Sequence, residues 1–384
     1  MKTTSLTITN PAALFSQFSE RSQSELLKIR KIIKNDNDYL SKSPRTWGIK
    51  EAALMIGRSM PWLRENDKDV PRNRQNHGRW TLPRINQLRD QVKTRVRRPS
   101  TAQVTIMACV NFKGGVGKTT TAAHLAQKAA INGLRVLAVD LDPQATLTFL
   151  LGGLIPEVDV NEDDLINPYL LDSTDNFASV IRETYFAGVD IIPTSLPLQD
   201  LDLALPNPEL NNRQTMGSAV LRLRNALALV QNDYDLIILD CPPNMGSITA
   251  NALAAANALL IPLPPAAADR ASFMMFCQSL SLFYGHLNRD LDYMRILISK
   301  HDGSAAHKFN EGRIRALYGE YVMTHVLTDS TEIEKAASYM RTVYELEKPL
   351  TSRETYQRSL DSLDNCCGEV LDDIQQLWGL THER

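Results

Sequence analysis

The sequence predicts an α/β protein: a mostly parallel sheet covered by helices, preceded by an α-helical front end containing a winged helix-turn-helix region. Three observations lead there. From Val104 onward, continuous apolar runs alternate with helical segments, the pattern of strands buried on both faces. The first of these runs leads through a glycine-rich turn, Gly114-Gly115-Val116-Gly117, into a helical pattern. Residues 1–100 carry 21 Lys and Arg against 9 Asp and Glu, whereas the remainder carries 21 against 35. A basic front on an acidic body points to a polyanionic partner for the front, most simply nucleic acid.

At 384 residues the chain is long enough for more than one domain. Its five cysteines, Cys109, Cys241, Cys277, Cys366 and Cys367, contain no C-x-x-C pair, which argues for reduced thiols in a cytoplasm and against a zinc site. No apolar signal core opens the chain, and no run reaches membrane-spanning length. The longest apolar region, 252–268, is broken by Asn257, Pro262, Pro264 and Pro265.

Four stretches follow from composition. Residues 1–42 show helical periodicity in Leu14, Phe15 and Phe18, then Leu26, Ile29 and Ile33, suiting a helix pair for a dimer contact or for packing on the body. Residues 43–98 read as a DNA-binding unit. A short helix through Ala52 and Ala53 ends at Gly57, and Ser59 caps a second helix with Pro61 in its first turn. That is the helix-turn-helix plan, whose second helix enters the major groove. The polar stretch Val70–Arg79, with a turn at His77-Gly78, suits a wing, and Thr81 caps a further helix, Pro83 to Val96, running into Arg95, Arg97 and Arg98. Ser59, Trp62, Arg64, Arg72 and Arg74 are the candidate DNA contacts, mostly to phosphates. A helical adaptor with solvated charges is the plainer alternative. Residues 99–103 form a linker, and 104–384 the α/β body, with strands expected at 104–110, 136–139, 189–192, 236–239, 259–263, 295–298 and 321–326.

Lys113-Gly114-Gly115-Val116-Gly117-Lys118-Thr119-Thr120 is a phosphate-binding loop in its required setting of strand, turn and helix. Glycines let backbone N–H groups converge on phosphate oxygens, and the helix N-terminus adds its positive dipole end. Lys118 is placed to reach the terminal phosphates of ATP and the Thr119 hydroxyl to ligate Mg²⁺. The loop departs from G-x-x-x-x-G-K-[ST] at its first position, where Phe112 stands beside a second lysine, Lys113. Two further apolar strands end in carboxylates: Asp140-Leu141-Asp142-Pro143-Gln144, and Asp240-Cys241-Pro242-Pro243-Asn244. Buried acids need a cation or polar partner, and an Asp closing an apolar strand is the usual second Mg²⁺ element beside such a loop. Taken singly, either Asp could merely cap the next helix.

These motifs together resemble the deviant Walker ATPases of the ParA/MinD class, and the front end resembles the long plasmid-partition ParA proteins. The resemblance spans essentially the whole chain and is most specific over 104–150 and 235–265. It implies that Lys113 is the signature lysine, crossing a nucleotide-sandwich homodimer to the partner's phosphates. It further implies that Asp142 orients the hydrolytic water, that Asp140 and Asp240 stay near the metal with Thr119, and that 140–146 and 240–247 act as switches. A cation beside a loop already holding one lysine is repelled until anionic phosphate arrives, so ATP should favour the dimer. The expected partners are DNA, both non-specific and operator, and a ParB-type centromere-binding protein, in a bacterial cytoplasm near the nucleoid. The stretch from Glu332 to Val343 is similar to a region implicated in non-specific DNA binding, which nominates Lys335 and Arg341; scattered solvated charges remain the alternative. Two other classes compete. A MinD-like membrane-cycling ATPase needs a basic amphipathic tail, but 368–384 holds Asp372, Asp373 and Glu383, and its Val370, Leu371, Ile374 and Leu377 suit packing on the body. A repressor that only senses nucleotide would bind its operator without turnover.

Overall fold

The computed structural model describes residues 11–33, 42, 45–172, 175–207, 209–210, 217–266 and 269–380. Among them run β1 (Thr105–Cys109), β2 (Val136–Asp140), β3 (Arg182–Glu183), β4 (Val189–Ile192), β5 (Leu236–Asp240), β6 (Ala258–Leu263) and β7 (Tyr293–Ile298). They form one sheet in the order β3-β4-β2-β5-β1-β6-β7, parallel throughout except for the antiparallel β3–β4 pair. Six of the seven apolar runs therefore become strands. The run 321–326 does not: Val322 makes an isolated parallel bridge to Ile296, and the chain follows β7 through scattered bonds such as Leu327 N–H to the Ile298 carbonyl. Strand β3 has only two residues, both exposed and charged, so it left no period to read.

Alternation sorts each strand onto two cores. Met107, Cys109, Val136, Ala138, Leu236 and Ile238 point to one face, while Ile106, Ala108, Leu137, Val139, Ile237 and Leu239 point to the other. The first face is covered by α5 (Lys118–Ile131) and by the C-terminal helix Arg353–Leu377. Ala122, Ala123, Ala126, Ala129 and Ala130 let α5 lie close to the strands, and alanine is the best helix former. The second face carries α6 (Arg222–Ala228), α7 (Ser247–Ala255), α8 (Asp269–Leu287) and α9 (Ala305–Tyr318).

The front end forms the expected helices, with several corrections. Helix α1 (Pro11–Ile33) is one continuous helix, not a pair. Its Phe15 and Phe18 are 65% and 47% exposed, and Leu26 is its anchor, packed with Ile155 and Met340. Side chains of Ile29 and Ile33, and residues 34–41, lie outside the described residues. Helix α2 (Ile49–Ile56) ends at Gly57 in the left-handed region, and α3 (Met60–Asn66) starts at Ser59, whose hydroxyl accepts the Trp62 N–H at 3.3 Å. The wing is a small hairpin, Arg72 bridging Gly78. Its turn runs from Asn73 to His77 with Asn76 left-handed, earlier than the expected His77-Gly78. Gly78 is needed for another reason: a Cβ there would sit 2.8 Å from the Trp80 ring and 2.9 Å from Val70.

Helix α4 (Leu82–Val92) is shorter than expected, closed by Lys93 at φ 57°. Within it and beyond it, basic residues turn inward. Arg89, buried, donates to the carbonyls of Met55 and Ile131 at 2.7 Å each; Arg95 donates to the Gly133 carbonyl; Arg97 pairs with buried Asp235. The hydrophobic core of α2–α4 runs without a break into that of α5. The change of pattern near residue 99 is thus a sequence boundary inside a continuous core.

Candidate nucleotide site and basic groove

The register puts the chemistry at one end of the sheet. Asp240 closing β5 pairs with Cys109 of β1 on one side and with Asp140 of β2 on the other, at the carboxyl ends where ligands of parallel sheets bind. From Cys109 the chain enters the loop before α5. Gly115 and Gly117 hold φ of 72° and 96°, conformations that L side chains resist. A Cβ added at Gly114 or Gly115 would meet nothing within 4 Å, so the loop faces open space. Asn111 fastens it from below, its amide donating to the Pro262 carbonyl at 2.8 Å and its oxygen accepting the Lys113 N–H at 3.0 Å. Ser299 donates to the Val116 carbonyl at 2.8 Å. Phe112, standing where the usual motif has glycine, packs edge-on against Phe276 of α8 with ring centroids 4.8 Å apart.

Lys118 is buried, and its ammonium donates to the Lys113 carbonyl at 3.2 Å. Burial lowers its pKa from the ordinary lysine value, opposed by the charges of Asp240 and Asp142. Lys113 is exposed at the mouth of the loop, as are Gly114 and Gly115, while Val116 is buried and Thr119 and Thr120 are half-buried. Both carboxylate oxygens of Asp240 are buried without a hydrogen-bond partner. The Thr119 hydroxyl faces them without closing a bond of normal geometry, and burial, then the charge of Asp140, push Asp240 well above the aspartate range. A buried acid in that state calls for a cation.

Asp140 is different. Its oxygens accept the Thr148 N–H at 2.7 Å, the Thr148 hydroxyl at 2.8 Å and the Asp142 N–H at 3.2 Å, so of the three expected metal residues it is the one already engaged. Asp142, half-buried, accepts the Gln144 N–H at 3.0 Å. Among the described residues no three His, Cys, Asp or Glu side chains group to hold a metal. A divalent ion here would draw most of its ligands from phosphate and water, the habit of Mg²⁺. Open glycine loop, buried lysine, unpartnered Asp240 and facing Thr119 fit Mg²⁺ and a nucleoside triphosphate.

A second surface lies on the front end. A cleft of about 720 Å³ opens between α3 and the wing, lined by Lys50, Arg64, Lys68, Arg72 and Arg79 over a floor of Trp80. Arg64 and Arg74 are exposed, and Arg72 donates to the Asn76 carbonyl at 3.1 Å. Ser59 and Trp62 are less free than expected. The Ser59 hydroxyl serves as the α3 cap, and Trp62 is half-buried against the core beneath Arg58.

Residues 104–293 match the family model of the AAA domain. A putative replication protein A of Rhizobium rhizogenes is 31% identical over 362 residues, covering 89% of each chain. Protein SopA of Escherichia coli K12 is 30% identical over 359 residues, 88% of this chain and 91% of that one. The chain belongs to the ParA/MinD family of P-loop ATPases. This ParA/MinD-family protein is an ATP-hydrolysing enzyme. Its fold is shared, front end included, with a solved structure described as a partition protein, at TM-score 0.67 and 21% identity over 96% of this chain and 100% of that chain.

In this ATPase the other nominated DNA contacts sit differently. Lys335 is exposed on the helix Thr331–Ser338 and donates to the Leu350 carbonyl at 2.7 Å, whereas Arg341 is half-buried near Lys42 and Glu345. Sequence reasoning missed Asn111, Ser299, Thr148 and Asp202. Asp202 accepts the Ile248 N–H at 3.0 Å, and a Cβ at Gly246 would lie 2.5 Å from its oxygen. The available signal was a polar residue at the end of an apolar run, which marks Asn111 and Ser299; Asp202 comes from a distant loop and carried none.

Proposed function

We propose that this chain is a DNA-partition ATPase of the long, helix-turn-helix-bearing kind, which segregates a plasmid or prophage. The observation that carries the reading is the fusion of a basic winged helix to the phosphate-loop helix in one continuous core, cross-tied by Arg89 from Met55 to Ile131. ATP occupies the loop at 113–120. Thr119 and Asp240 would hold Mg²⁺, which would supply positive charge to the phosphates. Lys118 leaves the Lys113 carbonyl for phosphate, Asp142 positions the attacking water, and Asp140 holds the Asp142 loop through the bonds to Thr148 and to the Asp142 N–H. Lys113, exposed at the loop mouth, reaches the phosphates of a second copy, so ATP favours a homodimer.

The dimer coats DNA non-specifically through phosphate contacts that include Lys335, and the groove between α3 and the wing binds the operator of the protein's own operon. Intrinsic turnover is slow because the motifs include no arginine finger, and a ParB-type partner accelerates it. The protein works in the cytoplasm on the nucleoid. The membrane-cycling alternative loses support because Val370, Leu371 and Ile374 are buried in the body; Leu377 is 48% exposed, and 381–384 lie outside the described residues. Turnover and DNA retention, measured with ATP, ADP and no nucleotide on random DNA and on the upstream region of its gene, test the proposal. Lys118→Ala should abolish turnover, and normal hydrolysis by that variant would sink the site assignment.

A further inference from the structure

The far end of the sheet carries a second cleft that nucleotide hydrolysis does not use. It encloses about 430 Å³ between the 98–104 connector, the start of β1, α6 and the residues after α8. The five residues of β1 separate it from the phosphate loop, roughly 17 Å of strand. Three arginines line it, Arg98, Arg224 and Arg289, with Gln103 and Asn232 as neutral polar side chains, while the Asn257 amide is spent on the Val104 carbonyl and Asp292. No Asp or Glu is among its lining residues. Asp292, the nearby acid, accepts the Asn257 amide at 3.0 Å from behind the wall.

Two of the guanidinium groups are fixed by backbone. Arg98 donates to the Ala102 carbonyl at 2.5 Å and more weakly to Tyr234, and Arg289 donates to the Ala254 carbonyl. Arg224 is exposed and has no carboxylate partner among the described residues. Arg289 and Arg224 face each other closely enough that, after burial, the Arg224 charge is the next cause lowering the Arg289 pKa. Asp292 offsets part of this repulsion from outside the lining, and the positive field that remains is one an anion relieves. The guanidinium fork matches phosphate oxygens bidentately, and the amides suit sugar or phosphate oxygens. The volume falls within the range of small-ligand sites.

We propose that this cleft is a second phosphate-binding site, separate from the ATP loop, taking a phosphate-bearing anion of about nucleotide size. The anion is either a free nucleotide or a phosphate segment of a nucleic acid. Because the connector from the winged helix to β1 forms one wall, occupancy braces that junction.

The test uses the full-length chain carrying Lys118→Ala, so that the ATP loop is disabled. Calorimetric titrations with pyrophosphate and, separately, with a short DNA duplex are repeated after adding Arg224→Gln. Pyrophosphate binding should survive Lys118→Ala and weaken about tenfold with Arg224→Gln, the loss of one charge-assisted bond. Arg224→Lys should recover part of it. A parallel loss with the duplex assigns nucleic acid as the source; a loss with pyrophosphate alone assigns free nucleotide. No pyrophosphate binding to the Lys118→Ala protein, or equal affinity with and without Arg224, overturns the proposal. Since Arg224 is exposed, an unchanged melting curve for Arg224→Gln keeps the comparison clean.

Discussion

Asp240 is a residue built for a partner from outside the chain. An acid whose folded pKa is raised binds its proton more tightly in the folded chain. Stability therefore falls as pH rises from the ordinary aspartate range of about 4 toward and through the raised value. The nucleotide-free fold carries more of that penalty at pH 8 than at pH 4, with both Asp240 oxygens unpartnered. Asp240→Asn should thus melt above the parent at pH 8, with the margin shrinking toward pH 4. Adding Mg²⁺ and ATP should raise the parent's melting temperature more than the variant's. A nucleotide-free variant that melts lower at pH 8 would contradict an unpaired carboxylate. The thiols nearby need no such account: burial pushes Cys109 and Cys241 up, which leaves both inert.

Among the elements, α4 is the one whose role changed most. Its arginines look like a basic tail for DNA, yet Arg89 is 6% exposed and ties α2 to α5, with its own pKa lowered to about 10 by burial and then by Arg95. Arg89→Leu leaves the Met55 and Ile131 carbonyls unmet, at a cost of roughly 3 kcal/mol, measurable by urea unfolding. A cost below about 0.5 kcal/mol would mean that the winged helix docks by apolar contact alone. In α1 the signal is the opposite. Phe15 and Phe18 meet edge-on at 6.3 Å on an exposed surface, the state expected of a helix awaiting a second copy. Replacing both with Asp should shift the ATP-bound species toward monomer in analytical ultracentrifugation without lowering the melting temperature. An unchanged dimer fraction would remove α1 from the interface.

At the scale of the whole molecule, the basic excess divides into two populations. Arg89, Arg95 and Arg97 serve internal junctions, while Lys50, Arg64, Lys68 and Arg72 remain around the cleft beside the wing. Under the proposed function, operator binding draws its counterion release from the second group and not from the first. Arg64→Ala with Arg72→Ala should weaken operator binding and lower the slope of log affinity against log salt by about two, if each side chain neutralises one phosphate. The paired change Arg95→Ala with Arg97→Ala should leave that slope alone while reducing stability. An identical slope change for both pairs would place the internal arginines on DNA after all.

Periodicity and motif chemistry were enough to read the parallel sheet from its continuous apolar strands, the phosphate loop from Gly114 to Thr119, and the helix-turn-helix from Gly57 and Ser59. Each of those signals is local, set by backbone freedom, capping or the alternation of a strand. What needed the tertiary structure was every choice between partners far apart in the chain. It decided that Asp140 is engaged by Thr148 while Asp240 stays open, that Phe112 packs on Phe276 where a glycine was expected, and that the arginines after α4 are structural. It also drew three arginines from distant segments into one cleft. A charge in the sequence has a sign and an approximate address, but its electrostatic role depends on burial and on what stands opposite, and only the folded chain supplies both.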